Sequence, residues 1–129
     1  MPALPWKQSA MADPEAGYLA VATELVLRRY RDIPAFLRLS RRIGQQVEGS
    51  GGAIGFAMQA HLRERRFRTV SVWRDQAAML GFLRSEPHRS AMGTQSGFAP
   101  TATCRWEVTG ATLPPVWEAV ESRLAAAAR

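Results

Sequence analysis

Residues 53–73 read AIGFAMQAHL (53–62), RERR (63–66) and FRTVSVW (67–73), which are two β-rich runs joined by a short polar link. A link of this length is typical of two antiparallel strands that pair directly, so the stretch predicts a β-hairpin. Glycines and a serine at 49–52 precede the hairpin and tolerate the open conformations that a turn requires. Asp75 follows it as a candidate helix cap. The hairpin is therefore the centre of the predicted sheet.

One helix is predicted on each side of the hairpin. On the N-terminal side, Asp32 is placed as the N-cap and Pro34 lies in the first turn, where a missing N–H costs nothing. The apolar residues of this segment share one arc of a helical projection: Ile33, Phe36, Leu37, Ile43 and Val47. On the C-terminal side, Asp75 caps a second helix that extends through Arg84. Ser85 and Pro87 predict the start of a further short helix.

Two outer strands complete the predicted sheet. Residues 18–27 are rich in β-branched and apolar side chains, and residues 102–108 alternate apolar and polar side chains as a half-buried strand does. Two consecutive prolines at 114 and 115 predict the start of a C-terminal helix over 114–128. Residues 1–16 lack periodicity and are interrupted by prolines, which predicts a flexible leader before a single domain over 17–129.

The predicted order of elements is strand, helix, strand, strand, helix, strand and a closing helix. This is the ferredoxin-like βαββαβ order, an α+β fold in which an antiparallel four-stranded sheet carries both helices on one face. The other face would be bare, and a large apolar sheet face is not stable in water. Two such faces packed across a two-fold axis would shelter each other, so the sequence predicts a homodimer.

Composition places the chain among ordinary globular proteins, with 47% hydrophobic and 22% charged residues. The formal charge of +6 comes from arginine, since Lys7 is the only lysine. Arginine clusters at 28–31, 38–42 and 63–68 would suit either an anionic partner or solvated surfaces. Cys104 is the only cysteine and has no zinc-ligand spacing around it, which predicts a reducing compartment and no metal site. Neither a signal peptide nor a membrane span is visible, so we expect a cytoplasmic protein.

Three short motifs resemble a known family: GAIGF (52–56), SVWRD (71–75) and FLRSEPH (82–88). Their order and spacing resemble the antibiotic biosynthesis monooxygenase-like group of the dimeric α+β barrel superfamily, over residues 18–109. The resemblance implies a homodimer whose two sheets close a barrel, and a ligand pocket between each sheet and its helices. It also implies chemistry on a small hydrophobic or aromatic molecule, which the quinol-oxidising relatives carry out without metal, flavin or any other cofactor.

Five residues form the candidate site. His88 follows Pro87 and is the candidate general acid or base, because imidazole titrates near neutral pH; the alternative is a helix-end histidine that bonds the backbone. Trp73 and Phe82 would form the wall of an aromatic pocket or seal the core. Arg89 would hold a carboxylate or phenolate oxygen through its planar fork. His61, late in the second predicted strand, is a further substrate-binding candidate.

The sequence leaves two classes of function open. The first is cofactor-independent oxidation or rearrangement of a quinol-type molecule that itself supplies electrons to dioxygen once deprotonated. The second is a non-catalytic dimer that binds a small ligand or is structural, because no compact set of acid, base and nucleophile is visible. Haem degradation is disfavoured, since Phe82 and either Ala91 or Met92 stand where the haem-degrading relatives have a tryptophan and an iron-binding histidine. Nucleic-acid binding is disfavoured because residues 54–58 lack the basic residue and the second aromatic of the RNA-recognition signature.

Overall fold

The computed structural model describes residues 2–84 and 101–127, with side chains from residue 4 onward. Its strands are β1 (Pro2–Gln8), β2 (Gly17–Val26), β3 (Ala53–His61), β4 (Arg66–Trp73) and β5 (Ala102–Thr109). Its α-helices are α1 (Ile33–Glu48), α2 (Gln76–Leu83) and α3 (Trp117–Ala127). The short helix predicted after Ser85, and the candidates His88 and Arg89, lie outside the described residues.

One antiparallel sheet organises the described chain, with the strand order β1-β3-β4-β2-β5. The predicted hairpin is β3 and β4, in which Ala57 lies opposite Val70 and His61 lies opposite Arg66. Between them, a 3-10 turn ends at Arg65, whose φ of 57° places it in the left-handed region. The order β3-β4-β2-β5 is the ferredoxin-like arrangement, so the predicted α+β fold is confirmed.

The sheet has five strands where the sequence predicted four. β1 pairs with the outer edge of β3, with Lys7 opposite Phe56, and Ser9 continues the pairing by donating its N–H to the Ile54 carbonyl at 2.8 Å. Residues 2–8 therefore differ from the predicted flexible leader. Prolines are tolerated in an edge strand, and the row of unpaired backbone groups along β3 offers hydrogen bonds to any segment that can extend beside it.

Helices α1 and α2 lie on one face of the sheet, as predicted. Phe36 packs with Leu25 and Phe67 in one buried cluster, and Val47 packs with Trp73 and other residues in a second. The odd-numbered residues of β2 and β4 lie on this face, because strand side chains alternate between the two faces of a sheet.

The two predicted helix caps differ in the structure. Asp75 caps α2, since its Oδ1 accepts a hydrogen bond from the Ala78 N–H at 2.8 Å. Asp32 makes no such bond: its backbone is already helical, with φ −82° and ψ −13°, because it ends a 3-10 turn that runs directly into α1. Its carboxylate instead lies 3.5 Å from Arg29. Asp32 therefore occupies the N-cap position, as predicted, but its side chain does not cap the helix.

The second face of the sheet is covered by the chain itself. Val120 and Leu124 of α3 are almost fully buried against Ala22, Ala57 and Val70. Small side chains on the strands let the helix approach closely, and Arg68 fastens it by donating from Nη1 to Oε1 of Glu121 at 3.2 Å. Further along, Ala12, Tyr18 and Leu113 are among the residues packed over Ala20, Ile54 and Val72.

This cover corrects the expectation of a bare sheet face. A C-terminal helix is present, but it begins at Trp117 and not at Pro114 as predicted. Periodicity cannot tell which surface a terminal helix will occupy. Within the described residues, no helix combines the length and apolar character needed to cross a bilayer.

Candidate functional site

A small cavity of about 90 Å³ lies between the sheet and helices α1 and α2. Its floor is made by β2 and β4, where Thr23 lies opposite Thr69 and Val21 lies opposite Ser71. Side chains of α1 and α2 form the roof, and Phe56 of β3 forms one wall. The lining is mostly apolar, as is typical of a pocket for a small organic molecule.

Trp73 and Phe82, the two residues predicted to form an aromatic wall, both line this cavity and contact each other. Trp73 is completely buried, and its ring centroid lies 4.9 Å from that of Phe82 with the two planes inclined by 37°. The indole Nε1 donates a hydrogen bond to Oγ of Ser71 at 2.9 Å. The indole is thus held in one orientation by packing and by a hydrogen bond.

Hydroxyl groups supply the polar atoms of the described lining. Ser40 in the roof donates to the Phe36 carbonyl at 2.8 Å, so its proton is already used. Ser71 accepts from Trp73 and keeps its own O–H. Thr23 and Thr69 have no side-chain hydrogen-bond partner among the described residues, and both are only partly buried. These three floor hydroxyls can therefore donate to an oxygen atom of a bound molecule.

None of the described lining residues carries a titratable side chain. An acid or base for this cavity has to come from bound water, from the ligand, or from the undescribed segment at 85–100, which contains the candidates His88 and Arg89. Nor do residues 4–84 and 101–127 hold a group of three or more His, Cys, Asp and Glu side chains arranged around a metal ion.

His61 lies away from the cavity. It occupies the last position of β3, and the odd-numbered residues of that strand from Gly55 onward face α3, because strand side chains alternate between the two faces. There it lies near Arg66, its partner across the hairpin, and its Nε2 is buried without a hydrogen-bond partner among the described residues. The prediction that His61 contacts substrate does not fit a ligand held in this cavity.

A second hollow lies between β1 and α1, and it could not be foreseen because residues 1–16 were predicted to be a flexible leader. This groove is larger, at about 400 Å³, and is more open to solvent. Lys7 from β1 and Arg41 and Glu48 from α1 supply its charged groups, and Lys7 Nζ lies 3.0 Å from Glu48 Oε1. The groove and the cavity share Val47 and Phe56 as lining residues.

Comparison with known proteins finds likeness in structure only. No protein-family model and no curated protein matches the sequence. Among solved structures, the "Putative antibiotic biosynthesis monooxygenase from Nitrosomonas europaea" superposes with a TM-score of 0.59 and 14% identity, covering 82% of this chain and 99% of that one. A "putative monooxygenase" from Lactobacillus acidophilus gives a TM-score of 0.63 at 7% identity, covering 82% of this chain and 48% of that one. Another from Fusobacterium nucleatum gives 0.62 at 14% identity, covering 81% and 47%.

Likeness at such identities shows the fold alone. At that level the predicted resemblance to the antibiotic biosynthesis monooxygenase-like proteins is confirmed. A shared fold leaves activity to be argued from the site.

Proposed function

We propose that the cavity binds a small aromatic quinol and promotes its oxidation by dioxygen without a bound cofactor. The observation that carries this proposal is the apolar hollow walled by Trp73 and Phe82 and floored by donor hydroxyls. The monooxygenase-like fold is a second, weaker support, since fold and chemistry are separable.

The floor hydroxyls define what the protein contributes to such a reaction. A quinol reacts with dioxygen once it has lost a proton, so the protein gains rate by stabilising the phenolate oxygen. Thr23, Thr69 and Ser71 line up on neighbouring strands and can donate to one oxygen placed against the sheet. Donors fixed in a dry cavity stabilise developing negative charge better than water does. His88 as the proton acceptor and Arg89 as a second charge stabiliser remain predictions.

The second candidate is a binding protein without turnover. It is favoured by the absence of titratable side chains from the described lining and by the small volume of the cavity. Such a protein would need only the shape and the hydroxyl floor of the site.

The homodimer also remains a prediction. Its original reason was an uncovered sheet face, whereas α3 occupies that face in the structure. A homodimer that keeps α3 in place would use another surface, or the two copies would exchange their C-terminal helices.

Oxygen consumption with methylhydroquinone tests the enzymatic proposal, because methylhydroquinone is a small quinol with a single ring. We expect the protein to accelerate oxygen uptake over the uncatalysed blank, and Thr69→Val to lower that acceleration by about tenfold or more while the variant stays folded. Thr109→Val is the matched control, because Thr109 is an exposed threonine at the far end of β5, opposite Gly17. His88→Ala tests the predicted base in the same assay.

The outcomes separate the candidates. Saturable binding of the quinol with oxygen uptake no faster than the blank favours the binding protein. Equal loss of activity in Thr69→Val and Thr109→Val contradicts the hydroxyl floor as the stabilising feature. Absence of both binding and oxygen uptake contradicts the assignment of the cavity as a ligand site.

A further inference from the structure

We propose that the groove between β1 and α1 is the outer half of the ligand site, and that it selects aromatic acids. In this arrangement the aromatic ring passes Phe56 into the cavity, and the anionic substituent stays in the groove near Arg41 and Lys7. The inference rests on the proposed function only in that the cavity is taken as the place where the ring binds.

The two hollows differ in volume. The cavity measures about 90 Å³, which is smaller than the roughly 150 Å³ of an engineered apolar cavity that holds one benzene ring. Pockets for drug-sized ligands span about 300–1,000 Å³, and the groove, at about 400 Å³, falls within that range. A single ring therefore fills the cavity, and a ligand with more than one ring has to extend beyond it.

The two hollows share part of their lining. Phe56 and Val47 are the residues that line both, and Phe56 is only half-buried. Directly opposite the Phe56 ring stands Gly44 of α1, where a Cβ atom would lie 3.6 Å from Phe56 Cε1. Because glycine has no side chain there, α1 places no side chain against the ring at this position. The proposal requires that the Phe56 ring turn aside to join groove and cavity.

The charges of the groove favour an anion. Lys7 and Arg41 contribute two positive charges against the single carboxylate of Glu48. Glu48 engages Lys7 at 3.0 Å, while no salt bridge to Arg41 is found among the described residues. A carboxylate attached to an aromatic ring that has entered past Phe56 would come within reach of that guanidinium, whose planar fork suits it.

A pair of probes of equal shape tests this assignment. 2-Naphthoate and 2-naphthamide both require more space than the cavity alone, and they differ in charge. Binding is followed by calorimetry and by methyl NMR shifts of Val47 and Met79, which line the cavity. We expect 2-naphthoate to bind more tightly than 2-naphthamide, and the difference to shrink as salt is added, because exposed charges are screened.

Charge variants then locate the anion. Arg41→Gln should lower the affinity for 2-naphthoate by about two- to fivefold, which is the range of an exposed ion pair. It should leave the affinity for 2-naphthamide unchanged. Glu48→Gln removes the ion pair with Lys7, and it should raise the affinity for 2-naphthoate by a similar factor. Arg38→Gln is the matched control, since Arg38 is an exposed arginine of the same helix that does not line the groove.

A steric variant tests the role of Phe56. Gly44→Leu fills the space opposite the ring and should weaken both naphthalene probes by about tenfold, as expected for a lost apolar contact surface of one side chain. Methylhydroquinone, which extends into the groove less than a naphthalene does, should be weakened less. Urea unfolding of the variant checks that it is folded.

These experiments test the groove assignment separately from the proposed function. If Arg41→Gln and Glu48→Gln leave the ratio of the two probe affinities unchanged, or if Gly44→Leu leaves both affinities unchanged, the groove is not part of the site. Binding of methylhydroquinone in that case leaves the proposed function intact. If neither methylhydroquinone nor either naphthalene probe shifts the Val47 and Met79 methyl signals, the groove assignment and the proposed function fail together.

Discussion

The buried indole N–H of Trp73 donates its hydrogen bond to the hydroxyl of Ser71. Its indole is completely buried, and Nε1 donates to Ser71 Oγ at 2.9 Å. Ser71→Ala leaves that buried N–H without an acceptor, and we expect a loss of about 1–3 kcal/mol in the free energy of unfolding. The measurement is urea denaturation followed by far-UV circular dichroism.

The same substitution in a Trp73→Phe background provides the control. Phenylalanine has no N–H to satisfy, so Ser71→Ala should then cost much less, and the double-mutant cycle should show coupling between the two positions. An equal cost in both backgrounds would mean that the hydrogen bond does not hold the indole.

Cys104 is predicted to be a slow nucleophile. Burial raises the pKa of its thiol, and the nearby positive charge of Arg123 opposes that rise to a smaller degree. Since the thiolate is the reactive form, alkylation by iodoacetamide at neutral pH should be slower than for an exposed cysteine, with a midpoint at higher pH. Arg123→Gln removes the opposing charge and should move the midpoint higher still, whereas Arg123→Lys should leave it nearly unchanged. A midpoint that falls in Arg123→Gln would contradict the assignment.

Site residues differ in how far the sequence could predict them. Trp73 and Phe82 were found because each ends or follows a recognisable element near a motif. Thr23 and Thr69 were missed, since a threonine in a strand carries no signal of its own, and only the pairing of β2 with β4 places the two side by side. His61 was assigned to the site although strand alternation directs it to the other face, so counting positions from Phe56 would have excluded it.

At the scale of elements, the two aspartates that precede helices offer a matched comparison. Both fit the sequence pattern of an N-cap, yet only Asp75 accepts a hydrogen bond from its helix. Asp75→Ala should lower the free energy of unfolding by about 0.5–2 kcal/mol, the usual cost of a lost cap. Asp32→Ala removes only an exposed ion pair with Arg29 and should cost well under about 1 kcal/mol. Thermal or urea unfolding measures both, and a larger cost for Asp32→Ala would contradict the cap geometry.

Elements with strong local patterns were predicted well, and those that depend on a distant partner were not. The hairpin, α1, α2 and β5 are encoded by periodicity and turn residues within each segment. β1 has no such pattern, because Pro2 and Pro5 interrupt it and its hydrogen bonds come from β3, some fifty residues later in the chain. The groove at β1 could not be foreseen for the same reason.

At the scale of the whole molecule, the cover of the second sheet face determines which surface is left for a second copy. Sequence reasoning identified the apolar face but assigned it to a second copy. In the structure α3 takes that place, with Val120 and Leu124 seated on alanine and valine side chains and Arg68 bonded to Glu121. A helix of the same chain has the advantage of high effective concentration over a separate molecule.

Removing α3 should therefore promote association. Fully burying a valine or leucine side chain is worth about 1.5–3 kcal/mol, so a second copy must displace Val120 and Leu124 at considerable cost in the full chain. A chain that ends after Leu113 does not have to displace the helix. We expect its dimer dissociation constant to be lower than that of the full chain by about tenfold or more. Sedimentation equilibrium measures both constants. Leu124→Asp should act in the same direction by loosening the helix, whereas Ala125→Asp, at the adjacent exposed position, should not. Equal association of the full and shortened chains would show that the copies meet at another surface, leaving α3 a purely structural cover.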